Sequence, residues 1–372
     1  MTSMLRIGPV EIGFPVVQAA LSGYSDLPMR RVARWHGATY TLNEVVLDKL
    51  VLTPGRKQRS ITRVAPDDHP VGGQLMGAHP ESFALAADAM VQAGYDIIDI
   101  NFGCPVRKVL GRCRGGFLLS TPETAIEILR AVYDAVAGRR PVTVKMRRGL
   151  DDTPESERNF FTILDKAFEI GLAGATIHGR TVRQRYVGPS RWDFLARVKK
   201  HVGDRIILGS GDLFTAHDCI RMMETTGVDG VTVARGCIGN PWIFGECRAL
   251  LGYPPPEAAS PEARAAWRTG ELPPPPSVAD QGRTIARHYE WAVETHGPVL
   301  AARMMRKFGI KYSELHPHYL EVRDAFIRAR NNDDWQRVLE TWYDPTRDWP
   351  PGMRKTGPGD LVAAGAELDT CE

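Results

Sequence analysis

Between residues 14 and 250 the chain repeats one unit: a short apolar run, a polar turn, then a segment with helical spacing. The apolar runs fall at 16–19, 40–43, 73–76, 97–101, 142–145, 175–178, 206–209 and 231–234. Each is too short for a helix and too continuous for a strand with one wet face, which is how a parallel strand buried on both faces reads. The clearest helical patterns lie at 80–93, 122–137, 155–170, 192–201 and 215–226, two of them opening on a proline where a first turn tolerates it. Eight strands alternating with helices over roughly 235 residues match the size of a (β/α)8 barrel. A doubly wound sheet is the rival, but no GxGxxG turn follows the first run. The expected fold is therefore an α/β TIM barrel followed by a small all-α domain.

The rhythm breaks at 253–277, where Pro254–Pro256 and Pro273–Pro276 bracket a stretch of alanine and charge. This reads as a linker with one short helix around 262–267. Residues 278–343 read as several helices, and between 283 and 330 nine Lys/Arg face five Asp/Glu. The proline- and glycine-rich stretch 344–372 reads as a flexible tail. The expected domains are thus 1–252, 278–343 and the two connecting or trailing segments.

A net charge of +3 does not by itself argue for nucleic acid, so an anionic partner must be met by local patches. The six cysteines form no CxxC pair and no zinc-type spacing with histidine, which predicts reduced thiols, no metal and a cytoplasmic protein. No run approaches a membrane span.

In a barrel, functional groups gather where strands end. Here those ends carry Gln74, Asn101 with Cys104, Lys145 with Arg147, His178 with Arg180, Ser210-Gly211-Asp212 and Ala234-Arg235-Gly236. The glycine-containing turns after the seventh and eighth runs stand where barrels bind phosphate through backbone N–H groups. Lys145 can set a cation beside an electron-rich ring or a developing enolate. Taken singly, each residue has a bland reading: a cysteine after a strand is commonly a small buried apolar group, and loops in any barrel need glycine. Their convergence on one face favours a flavin- or phosphate-binding enzyme.

Across most of residues 5–340 the chain resembles the flavin-dependent tRNA-dihydrouridine synthases of the bacterial branch. The carrying segments are 23–30 (GYSDLPMR), 99–109 (DINFGCPVRKV), 115–119, 144–149 (VKMRRG), 176–181 (TIHGRT) and 235–244 (RGCIGNPWIF), with 269–272 and 297–311 similar to the helical tRNA-binding domain. The resemblance implies FMN across the barrel mouth. Gln74, Lys145 and His178 match flavin-contacting positions, Ala20, Leu21 and Ser22 match a turn at the flavin ring, and Ser210, Gly211, Asp212, Ala234 and Arg235 match the phosphate side.

It also implies NADPH as reductant, tRNA as partner, a monomer, and Cys104 as the acid that protonates uracil C5. An unperturbed thiol titrates near ~8.5 and so carries its proton at neutral pH. Asn101 and Arg180 are expected to meet the enolate, and Arg107 and Lys108 to tune Cys104 and touch RNA phosphate. Arg183, Arg185 and Arg191 are further phosphate contacts by this reading. Three positions depart from the family's usual residues: Ala20-Leu21-Ser22 for Pro-Met-Ala, Ser210 for asparagine, and Ala234 for glycine. Two other readings remain open: a related FMN barrel acting on a free pyrimidine or other enone, and an RNA-binding homologue without catalysis.

Overall fold

The computed structural model describes residues 4–357. Eight parallel strands close into a barrel: β1 (Val16–Gln18), β2 (Thr41–Leu42), β3 (Val71–Met76), β4 (Ile97–Phe102), β5 (Val142–Arg147), β6 (Gly174–His178), β7 (Ile207–Ser210) and β8 (Gly230–Val233). Each pairs with the next, and β8 returns to β1 through Val231 opposite Val16. All six residues of β4 are buried, which explains why it reads as an unbroken apolar run up to Asp99. All eight expected strands are present.

The second strand is split. Val46–Leu47 pairs with Leu75 and Met76 after a break at residues 43–45. At the break the Oδ1 of Asn43 accepts the Gln74 N–H at 2.7 Å, so a side chain replaces the missing ladder acceptor.

Helices α1 (Leu27–Trp35), α2 (Pro80–Gln92), α3 (Pro122–Val136), α4 (Pro154–Ile170), α5 (Trp192–Val202), α6 (Ala216–Thr226) and α7 (Trp242–Leu250) cover the barrel, with two short helices, Asp48–Val51 and Arg56–Ile61, after β2. Proline opens α2, α3 and α4. Thr153 caps α4, and Thr215 forms a capping box with Asp218 at α6. Sequence periodicity does not single out α1, whose nine residues include Arg30, Arg31 and Arg34. Arg30 is nonetheless buried, its guanidinium forked onto Asp68 at 2.5–3.2 Å.

The N-terminal hairpin, Leu5–Ile7 with Val10–Gly13, plugs the far end of the barrel. Leu5, Ile7 and Ile12 join Val17, Tyr40, Leu42, Ile97 and Leu208 in one apolar cluster. The opposite mouth, where the strands end, stays open.

Within 253–277 lies α8 (Pro261–Thr269), and the segment is tied to the barrel by Tyr253 Oη on the Gly13 carbonyl at 3.3 Å. Helices α9 (Val278–His296), α10 (Pro298–Tyr312), α11 (Tyr319–Arg328) and α12 (Asn332–Trp342) follow. They pack around a fully buried Trp335 that stacks on Tyr289 at 4.7 Å, and α9 lies against α1. Residues 344–357 carry no helix or strand, yet they are not loose: Trp349 packs on the core and Lys355 is buried. Positions 358–372 of the expected tail lie outside the described residues.

Candidate active site

The open mouth holds a cavity of about 1320 Å³ including its entrance. Ala20, Leu21, Ser22, Gln74, Asn101, Cys104, Lys145, His178, Ser210, Gly211, Asp212, Ala234 and Arg235 all line it. The sequence therefore identifies one wall after another of a single chamber. Arg107, Lys108 and Arg180 are not among the lining residues.

One wall is a polar ladder across β3, β4 and β5. Gln74 donates through Nε2 to Asp99 at 2.6 Å, and Thr143 Oγ1 donates to the other Asp99 oxygen at 2.6 Å. Burial pushes the Asp99 carboxyl up, against the downward pull of these donors and of Lys145. Asn101 donates to Gln74 Oε1 at 2.7 Å, and its Oδ1 accepts the N–H groups of Gly103 and Cys104 at 2.9 and 3.0 Å. Expected as a donor to substrate, Asn101 thus has its oxygen committed to shaping the cysteine turn. The carbonyl of Cys104 in turn accepts Gly116 N–H at 3.1 Å. A Cβ on Gly115, whose φ is +57°, would come within 2.8 Å of Cys104 Cβ, so only glycine lets this loop close on the thiol residue.

Beside this ladder the lining is cationic. Lys145 donates to Ser210 Oγ at 3.4 Å, and burial lowers its ammonium to about 8 despite the Asp99 charge. Burial, reinforced by Arg147, Lys145, Arg180 and Arg235, holds His178 well below its ordinary value, so the imidazole is neutral at pH 7.

Two turns close the chamber. A Cβ on Gly211 (φ +111°) would fall 2.5 Å from the His178 ring, and one on Gly236 would fall 2.0 Å from the Leu213 carbonyl oxygen, so both positions require glycine. Between them Asp212 adopts a left-handed conformation with φ +59°. It is held by Arg180 at 2.7 and 2.8 Å, by the Ser190 N–H at 2.7 Å and by Arg235 at 3.8 Å. Arg180 also donates to the Gly188 carbonyl. The guanidinium, 4% exposed, thus braces a loop through Asp212 and Gly188. Thr232 lines the cavity with a buried hydroxyl that has no hydrogen-bond partner among the described residues.

The first-strand turn reaches beyond the barrel. Gly23 N–H donates to Glu44 at 3.0 Å, and Lys307 of α10 donates to the Gly23 carbonyl, so the helical region touches the wall formed by Ala20–Ser22.

Two residues of the site have no role from sequence: Arg147, placed there only as a strand-end group, and Tyr186. Arg147 donates to the carbonyls of Gly103 (2.9 Å), Thr181 (2.9 Å) and Arg185 (2.7 Å), tying the cysteine turn to the loop after β6. Its spacing of two from Lys145 places both side chains on one face of β5, which is the signal available for it. Tyr186 stands 44% exposed at the cavity rim, with Arg235 and Arg147 at 4.7 and 5.5 Å from its ring centroid. It sits in an irregular loop where no periodicity marks it.

Of the basic residues expected to meet RNA, Arg107 and Lys108 are exposed on the short helix Arg107–Leu110. Arg183 and Arg191 are exposed and paired with Asp151 and Asp193 at 2.8 and 2.7 Å. Arg147 is one cation close enough to interact electrostatically with Cys104. No cluster of three or more metal-ligating side chains exists among the described residues, and no helix there is long and apolar enough to cross a membrane.

Fold and site together define a (β/α)8-barrel enzyme with its chemistry at the C-terminal strand ends. Solved barrels of the same fold include histamine dehydrogenase from Rhizobium sp. 4-9 (TM-score 0.51, 13% identity, 73% of this chain and 51% of that one). Morphinone reductase in complex with tetrahydroNAD is another (TM-score 0.50, 14% identity, 73% and 96%).

The family model for dihydrouridine synthase matches residues 17–333. A probable tRNA-dihydrouridine synthase of Rickettsia prowazekii is 32% identical over 86% of this chain and 91% of its own length. The tRNA-dihydrouridine synthase B of Xanthomonas axonopodis is 31% identical over 91% and 96%. The chain belongs to the dihydrouridine synthase family, whose members are oxidoreductases.

Proposed function

We propose that this protein reduces uridine to 5,6-dihydrouridine in tRNA, with FMN held across the barrel mouth, NADPH as reductant and Cys104 as proton donor. The observation that carries the reading is that Cys104, on a turn fixed by Asn101, lines one chamber together with Lys145, His178 and Arg235. The residues present fit a flavin. The unpartnered Thr232 hydroxyl calls for a polar ligand atom, and Gly211 and Gly236 line the same cavity on turns so closely packed that only glycine fits.

By this reading Ala20–Ser22, Gln74, Lys145 and His178 hold the ring, while Ser210–Asp212 and Ala234–Gly236 hold the phosphate. When bound and reduced, the flavin supplies the hydride that adds to uracil C6. The uracil C5–C6 bond is conjugated to the C4 carbonyl, so charge develops as an enolate, and Cys104 delivers the proton that C5 needs. Asn101 fixes the direction from which that proton comes. Lys145 sets an ammonium where negative charge gathers. Neutral His178 can donate one hydrogen bond without adding charge. Ala234 brings a methyl group close to the phosphate side, and Ser210 is already partnered by Lys145.

The uridine must leave its stack to enter this chamber, at a cost of about a few kcal/mol. Contacts elsewhere offset that cost, for which the exposed Arg107, Lys108, Arg183 and Arg191 and the basic stretch 283–330 are suited.

The deciding measurement is dihydrouridine in tRNA from cells with and without this gene; identical content at every position overturns the reading. The purified Cys104→Ala protein keeps its flavin and its NADPH oxidation and loses uridine reduction. Colourless protein that fails to take up FMN would count against both the proposed enzyme and a flavoenzyme acting on free pyrimidines.

A further inference from the structure

After α12 the chain does not trail into solvent but returns across the helical region to the barrel. Met353 N–H donates to the Leu315 carbonyl at 2.8 Å, and Arg354 binds the Glu246 carboxylate and the Pro273 carbonyl. This delivers Lys355 to the back of the turn after β8. The Lys355 side chain is 5% exposed. Its Nζ lies 3.4 Å from the Arg235 carbonyl oxygen, 3.3 Å from that of Ile238 and 3.3 Å from Glu314 Oε2. Glu314 is shared with Lys311, which holds Oε1 at 2.6 Å. Two buried ammonium groups and one carboxylate therefore leave a net positive charge behind this turn.

The front of the same turn faces the cavity: Ala234, Arg235, Gly236 and Ile238 all line it. In a planar trans peptide the C=O and the following N–H point in opposite directions. Drawing the Arg235 carbonyl back toward Lys355 therefore aims the Gly236 N–H forward, on the cavity side. In the dry setting behind the turn, the lysine's charge also acts on the cavity with little screening.

We infer that Lys355 is a positioning residue for anion binding: from the C-terminal segment it holds the Arg235–Cys237 turn in the orientation that takes a ligand's phosphate. This makes residues 344–357 part of the ligand-binding unit. The inference rests on the proposed placement of the FMN phosphate at this turn, and its test separates the two.

Full-length protein freed of flavin is titrated with FMN and with riboflavin, which carries the same ring and no phosphate. The wild type prefers FMN. In Lys355→Met and in the milder, hydrogen-bonding Lys355→Gln, that preference falls about tenfold or more while riboflavin binds as before. Lys355→Arg restores it. A variant that keeps the wild-type preference overturns the inference, as does one that loses both flavins equally, since that marks general loosening of the fold. A wild type with no preference for FMN overturns instead the underlying placement of the phosphate.

Discussion

Asn101 Oδ1 accepts the backbone N–H of Cys104 at 3.0 Å and that of Gly103 at 2.9 Å, so the last polar side chain of β4 sets the direction of the turn that follows it. The bond is a local cap of the kind asparagine makes on the residues two and three ahead. It is braced from behind by Asn101 Nδ2 on Gln74 and from the side by Arg147 on the Gly103 carbonyl.

Asn101→Ala removes both caps without touching the thiol. A misplacement of about 1 Å can cost on the order of 10²-fold in rate, so uridine reduction falls by about that factor while flavin content stays at the wild-type level. Asn101→Asp keeps the accepting oxygen and recovers part of the rate. Single-turnover oxidation of the reduced protein by tRNA measures both; an alanine variant with the wild-type rate would remove Asn101 from the mechanism.

How far the site is legible without coordinates depends on what each residue's signal is. The strands are legible because burial on both faces leaves apolar runs, and the residues that end them, Gln74, Lys145 and His178, then project to one mouth. The partner of Arg180 is not legible because a strand-end cation reads the same whether it faces ligand or a carboxylate. Only the fold brings Asp212, thirty-two positions away, onto its guanidinium. Tyr186 and Lys355 are silent for the same reason: their partners Arg147, Arg235 and Glu314 are remote in sequence. Helix α1 is hidden because one of its arginines is buried against Asp68.

Lys145 carries a pH signature. In the flavin-free protein burial lowers its ammonium to about 8, so the charge is progressively lost as pH rises through that value, where an ordinary lysine stays protonated to about 10.4. A bound group with negative charge nearby raises it again. Binding of FMN at pH 8–9 is therefore accompanied by proton uptake, and affinity declines toward pH 9.5. Calorimetry in buffers of different ionisation enthalpy reads the uptake. Lys145→Met binds with none; equal uptake by that variant would assign the proton to another group.

Thr232→Val separates stability from binding by sign. The buried hydroxyl has no partner in the protein, and such a group costs about 1–3 kcal/mol. Replacing it with a near-isosteric methyl stabilises the flavin-free protein by up to roughly 1 kcal/mol. If a flavin atom is its partner, FMN affinity falls several-fold in the same variant. Denaturant midpoints and flavin titration give the two readings. A variant that is both less stable and equally tight would mean the hydroxyl serves the protein alone.

The Arg180–Asp212 pair predicts a stability effect where the strand-end position suggested a catalytic one. Arg180 is 4% exposed on its side chain and Asp212 28%, so the pair is mostly sheltered, and removing one member of a buried pair costs roughly 3–5 kcal/mol. Arg235 remains 3.8 Å from Asp212 in Arg180→Met and takes up part of the stranded charge, which sets the expected loss at the lower end, about 3 kcal/mol. The loop after β6 also loses its tie to the Gly188 carbonyl, so flavin release quickens. Asp212→Asn combined with Arg180→Met removes the stranded carboxylate, though Arg235 then loses its own partner at 3.8 Å, and is expected to recover only part of the lost stability, the behaviour of a coupled pair. Urea unfolding of the four proteins of the cycle measures it. An Arg180→Met protein as stable as wild type but slow in uridine reduction would return Arg180 to the substrate.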